Sequence, residues 1–162
     1  MPFMEMVFLE DGRIIRPCGA DDLVGVSEMV LTEAERSIAK DFDENGWQDF
    51  KEYLTSEQLL KRLVTGSKAL VVQEVDDEIS GYVEISGNQI LLLFITKQAQ
   101  GLKLASRLIL RVQETLDLEE LYVNSSSKGY EFYREHQFEP LDGWRKEAGV
   151  KFRPLKWQRG KE

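Results

Sequence analysis

Several features that mark other classes of protein are missing or rare in this sequence. Cys18 is its only cysteine, so no internal disulfide can form and we expect an intracellular, cytoplasmic protein. Acids outnumber lysines and arginines by 29 to 21, and this net charge of −8 disfavours nucleic acid as a partner. Residues 90–95 form the longest aliphatic and aromatic run, far short of the roughly 20 residues that cross a bilayer. Residues 1–12 have neither a basic start nor a long apolar stretch, which predicts no signal peptide and no membrane association.

The remaining composition is that of an ordinary folded domain. Of the 162 residues, 42% are hydrophobic and 31% charged, which is enough apolar material for one buried core. The chain contains no internal repeat, low-complexity tract or linker-like run. We therefore expect residues 1–162 to form a single domain.

Hydrophobic periodicity predicts alternating blocks of helix and strand. Helical spacing of apolar residues appears after Asp22, around Trp47 and Phe50, after Thr55, after Gly101 and around Tyr133. Alternating or continuous apolar runs predict strands at 7–9, 13–17, 69–75, 79–85, 89–95, 121–124 and 150–155. This order predicts an α/β (α+β) fold in which helices cover a mixed sheet.

One long segment of the chain contains no acidic residue. It runs from Glu84 to Glu114, and its 29 intervening residues would hold about five acids at the chain average. The segment instead carries Lys97, Lys103, Arg107 and Arg111. Two of these cations stand at the start of the predicted Gly101 helix, where the helix dipole is already positive, so a bound phosphate would resolve the conflict. A buried strand packed under its helix would also be poor in acids, and the sequence leaves both explanations open.

This segment resembles the acyl-CoA site of the GNAT superfamily of N-acetyltransferases. In that family an L-F-V strand runs into a loop of the form Q/R-x-x-G-x-G/A, and residues 88–105 read NQILLLFITKQAQGLKLA. Residues 123–138, VNSSSKGYEFYREHQF, resemble the family's second motif, V-N-S-S-x-x-A-x-x-F-Y-x-x-x-G-F. Residues 14–22 are similar to its opening strand and helix cap, and residues 149–155 to a closing strand of one bacterial branch. The resemblance runs from about residue 13 to residue 155.

The resemblance implies a GNAT-like fold whose mixed sheet splays open at the coenzyme, with helices on both faces. The pantetheine arm of acetyl-CoA would pair with the backbone of Phe94, Ile95 and Thr96. The pyrophosphate would sit on the N–H groups of the loop formed by Gln100, Gly101, Leu102, Lys103, Leu104 and Ala105. Asn124 or Ser126 would hydrogen-bond the pantetheine arm, although a plain strand-end cap is the alternative for Asn124.

The catalytic residues that the resemblance implies are less complete. Tyr133 falls on the tyrosine that protonates the departing thiolate in many members, although a packed core aromatic would give the same pattern. Gln89 holds the position at which many members place a general base, and an amide cannot be a base at neutral pH. Glu84 on the preceding strand is the alternative base, and its competing interpretation is a solvent-facing residue. His136 shares a helix side with Tyr133, but its family position is normally a surface residue.

The expected activity is direct transfer of an acetyl group to a small-molecule or peptide amine, with no metal and with a homodimer as a possible assembly. Lys103 and Gln89 depart from the family pattern, so a catalytically weakened acyl-CoA-binding regulatory module is the alternative. Acidic and aromatic residues between 41 and 57 would suit a cationic amine, or form a solvated helix face over an apolar underside. They are Asp41, Phe42, Asp43, Glu44, Trp47, Asp49, Phe50, Glu52, Tyr53 and Glu57.

Overall fold

The structure, a computed structural model, describes residues 5–160, so the prediction about the first residues lies outside it for positions 1–4. Within residues 5–160, five helices follow the predicted order, and three single turns of 3-10 helix join them to their neighbours. The helices are α1 (Leu23–Ser37), α2 (Glu44–Tyr53), α3 (Ser56–Val64), α4 (Leu104–Thr115) and α5 (Tyr130–Glu135). The strands are β1 (Val7–Phe8), β2 (Ile14–Pro17), β3 (Lys68–Gln73), β4 (Ile79–Ser86), β5 (Gln89–Ile95), β6 (Glu120–Ser125), β7 (Glu139–Pro140), β8 (Arg145–Glu147) and β9 (Val150–Gln158).

The strands form one mixed sheet, which confirms the predicted fold class. Their order is β1-β2-β3-β4-β5-β6-β9-β7, and β8 pairs with the first three residues of β9. Every described pairing is antiparallel except that of β5 with β6. The connection between these two parallel strands is a crossover through α4, as a parallel pair requires.

Helices cover both faces of the sheet. One apolar cluster joins α1, α2 and α3 to the sheet through residues such as Val30, Leu59 and Tyr82. The other joins α4 and α5 to the opposite face through residues such as Leu108 and Phe138. Because both faces are covered, the central strand β4 is buried at six consecutive positions rather than at alternate ones.

The sheet is split between β5 and β6. These strands are paired only at Gln89 with Tyr122 and at Ile90 with Val123, the first residues of β5. Beyond that point β5 continues for five apolar residues along β4, while β6 continues along β9. The divergence leaves one backbone edge of residues 91–95 without a neighbouring strand, and this confirms the predicted splay.

Candidate active site

A cavity of about 550 Å³ opens at the split in the sheet. Its floor is the free edge of β5, and its walls come from the β6–α5 loop, from α5 and from the segment between α1 and α2. Seven residues predicted from the sequence lie together on its lining: Phe94, Ile95, Gln100, Ala105, Asn124, Ser126 and Tyr133. The size is typical of a small-molecule site.

The remaining predicted coenzyme residues lie beside this lining. Thr96 donates its N–H to Ser80 O at 2.8 Å and begins a 3-10 turn. Gly101, Leu102 and Lys103 are exposed in the turn before α4, and Leu104 is buried in the core. The resemblance assigns these four residues through their backbone N–H groups. The position of their side chains therefore does not decide that prediction.

Two polar residues of the β6–α5 loop differ in their existing contacts. The Ser126 hydroxyl accepts a hydrogen bond from Gly129 N at 3.0 Å, where the chain turns into α5. Asn124 is exposed and lines the cavity. The Ser126 hydroxyl thus stabilises the turn into α5, and the Asn124 side chain faces the cavity.

Tyr133 is held rigidly at the cavity wall. Its ring packs edge-on against Phe132 and Phe138, with centroid distances of 5.2 and 5.3 Å. A Cβ on Gly129 would lie 3.3 Å from a carbon of the Tyr133 ring, so that neighbour is also tight. Burial raises the pKa of Tyr133, which keeps its phenol protonated at neutral pH.

Glu84 is buried, which corrects the solvent-facing interpretation, and it is not part of the cavity lining. Its side chain is fully buried beneath α3. Arg62 binds both carboxylate oxygens, with Nε–Oε2 at 2.7 Å and Nη2–Oε1 at 3.2 Å, and the Tyr82 hydroxyl donates to Oε1 at 2.9 Å. The alternation rule fails here because β4 is covered on both faces. A carboxylate so fully engaged supports a structural role rather than proton abstraction.

The wall opposite the coenzyme loops carries two buried carboxylates. Glu33 of α1 and Asp41 of the following 3-10 turn are 6% and 7% exposed and line the cavity beside Phe42 and Phe50. Asp41 was a candidate from the acidic segment, whose other acids are exposed on or near α2: Asp43, Glu44, Asp49, Glu52 and Glu57. Sequence reasoning missed Glu33. The sequence does carry a signal for it, because Glu33 stands three residues after Val30 and therefore falls on the apolar side of α1.

The single histidine and the single cysteine lie outside the cavity lining. Directly after α5, His136 Nδ1 is 2.7 Å from Phe132 O, and a carbonyl can only accept, so Nδ1 donates this hydrogen bond. Nε2 lies 2.7 Å from the Ser106 hydroxyl. Burial raises the pKa of Cys18 to about 12, so it is a thiol rather than a nucleophilic thiolate at neutral pH.

Within residues 5–160, no three potential ligand side chains converge on a point that could hold a metal ion. None of the helices in that range is long and apolar enough to span a bilayer.

Comparison with known sequences decides the family. The profile of the Acetyltransferase (GNAT) domain family matches residues 38–159. The chain belongs to the GNAT acetyltransferase family. No curated protein sequence matches it.

Solved GNAT structures share the fold over nearly the whole chain. A GCN5-related N-acetyltransferase from Rhodopseudomonas palustris is 15% identical with a TM-score of 0.76, covering 96% of this chain and 98% of its own. The PaiA N-acetyltransferase of Thermoplasma acidophilum, solved with coenzyme A, is 19% identical with a TM-score of 0.73, covering 91% of this chain and 99% of its own. The spermidine N-acetyltransferase of Vibrio cholerae, solved with CoA and spermine, is 16% identical with a TM-score of 0.67, covering 91% of this chain and 95% of its own. At these identities the likeness establishes the fold.

Two positions at which the GNAT motifs have glycine carry larger residues here. Lys103 has φ +61° and Gln137 has φ +65°, both in the left-handed region. The backbone therefore keeps the conformation that favours glycine, and each side chain strains it by about 1 kcal/mol. Lys103 also places an exposed ammonium directly before α4, at the positive end of the helix dipole.

We expect Lys103→Gly to raise the free energy of unfolding by about 1 kcal/mol and to weaken acetyl-CoA binding by about tenfold. The gain comes from the relieved backbone, and the loss from a missing charge-assisted contact to phosphate. Urea denaturation and calorimetric titration measure the two effects. Gln137→Gly is the matched control, since it should give the same stabilisation with unchanged affinity. Tighter binding by Lys103→Gly would show instead that the lysine Cβ obstructs the loop.

Proposed function

We propose that this GNAT protein is an acetyl-CoA-dependent N-acetyltransferase that acts on a small-molecule or peptide amine. The observation that carries the proposal is the cavity at the β5–β6 split, which gathers seven residues predicted for coenzyme binding and catalysis. Acetyl-CoA would supply the activated acetyl thioester. The chain's own residues would bind it, orient the amine and stabilise the charge that develops.

The coenzyme side of the cavity fits a pantetheine and pyrophosphate group. The free edge of residues 91–95 offers backbone donors and acceptors to an extended amide chain, as an added strand would need. The first turn of α4 presents unpaired N–H groups beside Gln100 and Ala105, where a phosphate would bind. Of the four cations in the acid-free segment, Arg107 pairs with Glu10 at 2.6 Å. Lys103 lies in the loop itself, and Lys97 lies three residues before it.

The acceptor side fits a cationic amine. Asp41 places negative charge on a wall that also contains Phe42 and Phe50, a combination that suits an ammonium group, whereas Glu33 on the same wall is paired with Arg36. Lys128 and Lys151 also line the cavity, and Lys151 Nζ lies 5.1 Å from the Trp144 ring centroid. The solved spermidine N-acetyltransferase is bound to spermine, a small-molecule amine, which agrees in chemistry with this wall.

The chemistry needs no covalent enzyme intermediate. Cys18 is a protonated thiol outside the cavity lining, so the acetyl group would pass directly to the amine within a ternary complex. Tyr133 would donate its phenolic hydrogen toward the sulfur as negative charge builds there. Glu84 is occupied by Arg62, so we propose that the amine loses its proton through water.

Two observations support the regulatory alternative. Lys103 holds strained left-handed backbone where the family has glycine, and Gln89 begins β5 at the position of the usual base. A panel of amines that includes spermidine, spermine and a peptide N-terminus, read out by released thiol, separates the two functions. Turnover of any amine supports the transferase, whereas acetyl-CoA binding without turnover supports the regulatory module.

We expect acetyl-CoA to raise the melting temperature by about 5–10 °C at 100 times its Kd. A ligand that binds only the native state adds about 2.7 kcal/mol at that excess, and a chain of this size shifts about 2–4 °C per kcal/mol. Differential scanning fluorimetry makes the measurement. ATP is the control ligand, because it has the purine and phosphates but no pantetheine arm. An equal shift with ATP, or none with millimolar acetyl-CoA, would refute coenzyme binding at the split.

A further inference from the structure

The two strands that diverge at the split, β5 and β6, are not paired with each other near their carboxyl ends. β5 ends at Ile95 and β6 at Ser125, and their pairing stops well before either end. The separation of these ends sets the width of the split, and the β5–β6 pairing does not extend far enough to fix it. The backbone N–H groups that follow each strand also need new acceptors, because they have left the sheet.

Two carboxylates from one neighbouring segment supply those acceptors. Glu33 Oε2 accepts from Lys97 N, two residues beyond β5, at 3.2 Å. Asp41 Oδ2 accepts from Ser127 N, two residues beyond β6, at 2.9 Å, and Asp41 Oδ1 accepts from the Ser127 hydroxyl at 2.8 Å. Each diverging strand is therefore tied, just past its end, to a buried carboxylate.

The segment that carries these carboxylates is itself anchored. Arg36 pairs with the other oxygen of Glu33. Immediately after Asp41, Phe42 forms a β-bridge with Val150, and Asp43 N donates to Gly149 O at 2.8 Å. Gly46 packs on the Gly149 backbone so closely that a Cβ would lie 2.3 Å from its carbonyl oxygen. Residues 33–46 thus bridge the split as a fixed piece.

We propose that Glu33 and Asp41 are positioning residues that brace the split and set its width for the pantetheine arm. The inference rests on the proposed coenzyme function. Charge-assisted hydrogen bonds are the stronger kind, and the two carboxylates that accept them are only 6% and 7% exposed. Without Asp41 the β6–α5 loop loses two bonds at once, and the edge that receives the coenzyme is no longer held at one distance.

The experiment compares Asp41→Ala with Asp41→Asn by calorimetric titration of acetyl-CoA. Asp41→Ala should weaken acetyl-CoA binding about tenfold, which is about 1.4 kcal/mol. Asp41→Asn should stay within about threefold of the parent protein, because its amide oxygen still accepts from Ser127 N. Asp49→Ala removes an exposed acid of α2 and is the control, with unchanged affinity.

The pairing itself is tested by a double-variant cycle with Ser127→Ala. That variant loses the hydroxyl contact but keeps the N–H contact, so we expect about a threefold weaker affinity. Combined with Asp41→Ala it should add nothing further. Fully multiplicative effects would mean that the two residues act apart, and would overturn the brace.

Hydrogen exchange tests the brace without any coenzyme. In Asp41→Ala the amide of Ser127 should exchange at least tenfold faster, and in Glu33→Gln the amide of Lys97 should be nearly unaffected because an acceptor oxygen remains. A raised amine KM with unchanged acetyl-CoA affinity and unchanged exchange would make Asp41 an acceptor-binding residue instead. Failure of the parent protein to bind acetyl-CoA would refute the proposed function, whereas the exchange result would still decide whether the brace exists.

Discussion

Tyr133→Phe is expected to lower kcat by about 100-fold and to leave the acetyl-CoA Kd within about twofold. The substitution keeps the ring, which packs against Phe132 and Phe138, and removes only the hydroxyl. Loss of one well-placed donor to developing charge costs about 10²–10³ in kcat in other enzymes. Steady-state kinetics with an accepted amine and calorimetric titration of acetyl-CoA measure the two quantities.

The pKa of Tyr133 determines what its proton can do. A thiol has a pKa of about 8.5 and an ordinary phenol about 10, and burial raises the pKa of Tyr133 further. Complete transfer of the proton to a thiolate is therefore uphill, so in the proposed reaction Tyr133 would act as a hydrogen-bond donor during C–S cleavage. The raised pKa also keeps the donor form present to higher pH. We expect no loss of kcat from Tyr133 ionisation below about pH 10.

Tyr130→Phe provides the control for this prediction. Tyr130 stands on the same helix, and its hydroxyl accepts from Arg134 and Arg153, each at 3.1 Å. Its loss should leave kcat within about twofold, because Tyr130 is not on the cavity lining. An unchanged kcat in Tyr133→Phe would make that tyrosine a core aromatic with no part in the reaction.

Arg62→Met is expected to lower the free energy of unfolding by about 3 kcal/mol and the melting temperature by about 10 °C. The variant leaves the Glu84 carboxylate buried without its cation, and an unpaired buried charge is among the most destabilising defects. The effect lies at the lower end of its usual range because the Arg62 side chain keeps 16% exposure. Urea denaturation followed by fluorescence gives the unfolding free energy.

Two further variants make this stability test specific. Arg159→Met breaks an exposed pair with Asp117 and should change stability by no more than about 0.5 kcal/mol. Arg62→Met combined with Glu84→Gln should recover part of the loss, since a neutral amide does not need a counter-charge. A single variant as stable as the parent protein would contradict the buried pair. A kcat that collapses in Glu84→Gln at full stability would restore Glu84 as the general base.

The parts of the site that are formed by residues close together in the sequence were predictable. The apolar run of β5, the loop before α4 and Tyr133 on α5 are local patterns, and each lies where the motifs place it. The split followed from the resemblance. Periodicity alone could not show where two parallel strands part, because β5 remains apolar on both sides of that point.

The parts that were missed depend on contacts between distant residues. The alternation of side chains along β4 predicts that Glu84 faces solvent, yet Arg62 of α3, 22 positions away in the chain, covers it and forms a hydrogen bond with its carboxylate. Asp41 could be counted among acids of one segment, but only the fold brings it to Ser127, 86 positions later. The short strands β7 and β8 carry few apolar residues and owe their strand conformation to β9, their shared partner.

The unpaired edge of β5 has a consequence for the solubility of the ligand-free protein. Residues 91–95 are apolar, uncharged and free of proline, and such an edge is a template on which extended chains assemble. Natural sheets protect outer edges with charge, bulges or short strands, whereas this edge is open to the cavity at the split. It lies between the two helix-covered faces of the sheet. Any event that widens the cleft therefore invites self-association, and a resident pantetheine chain would act as a molecular cap against aggregation.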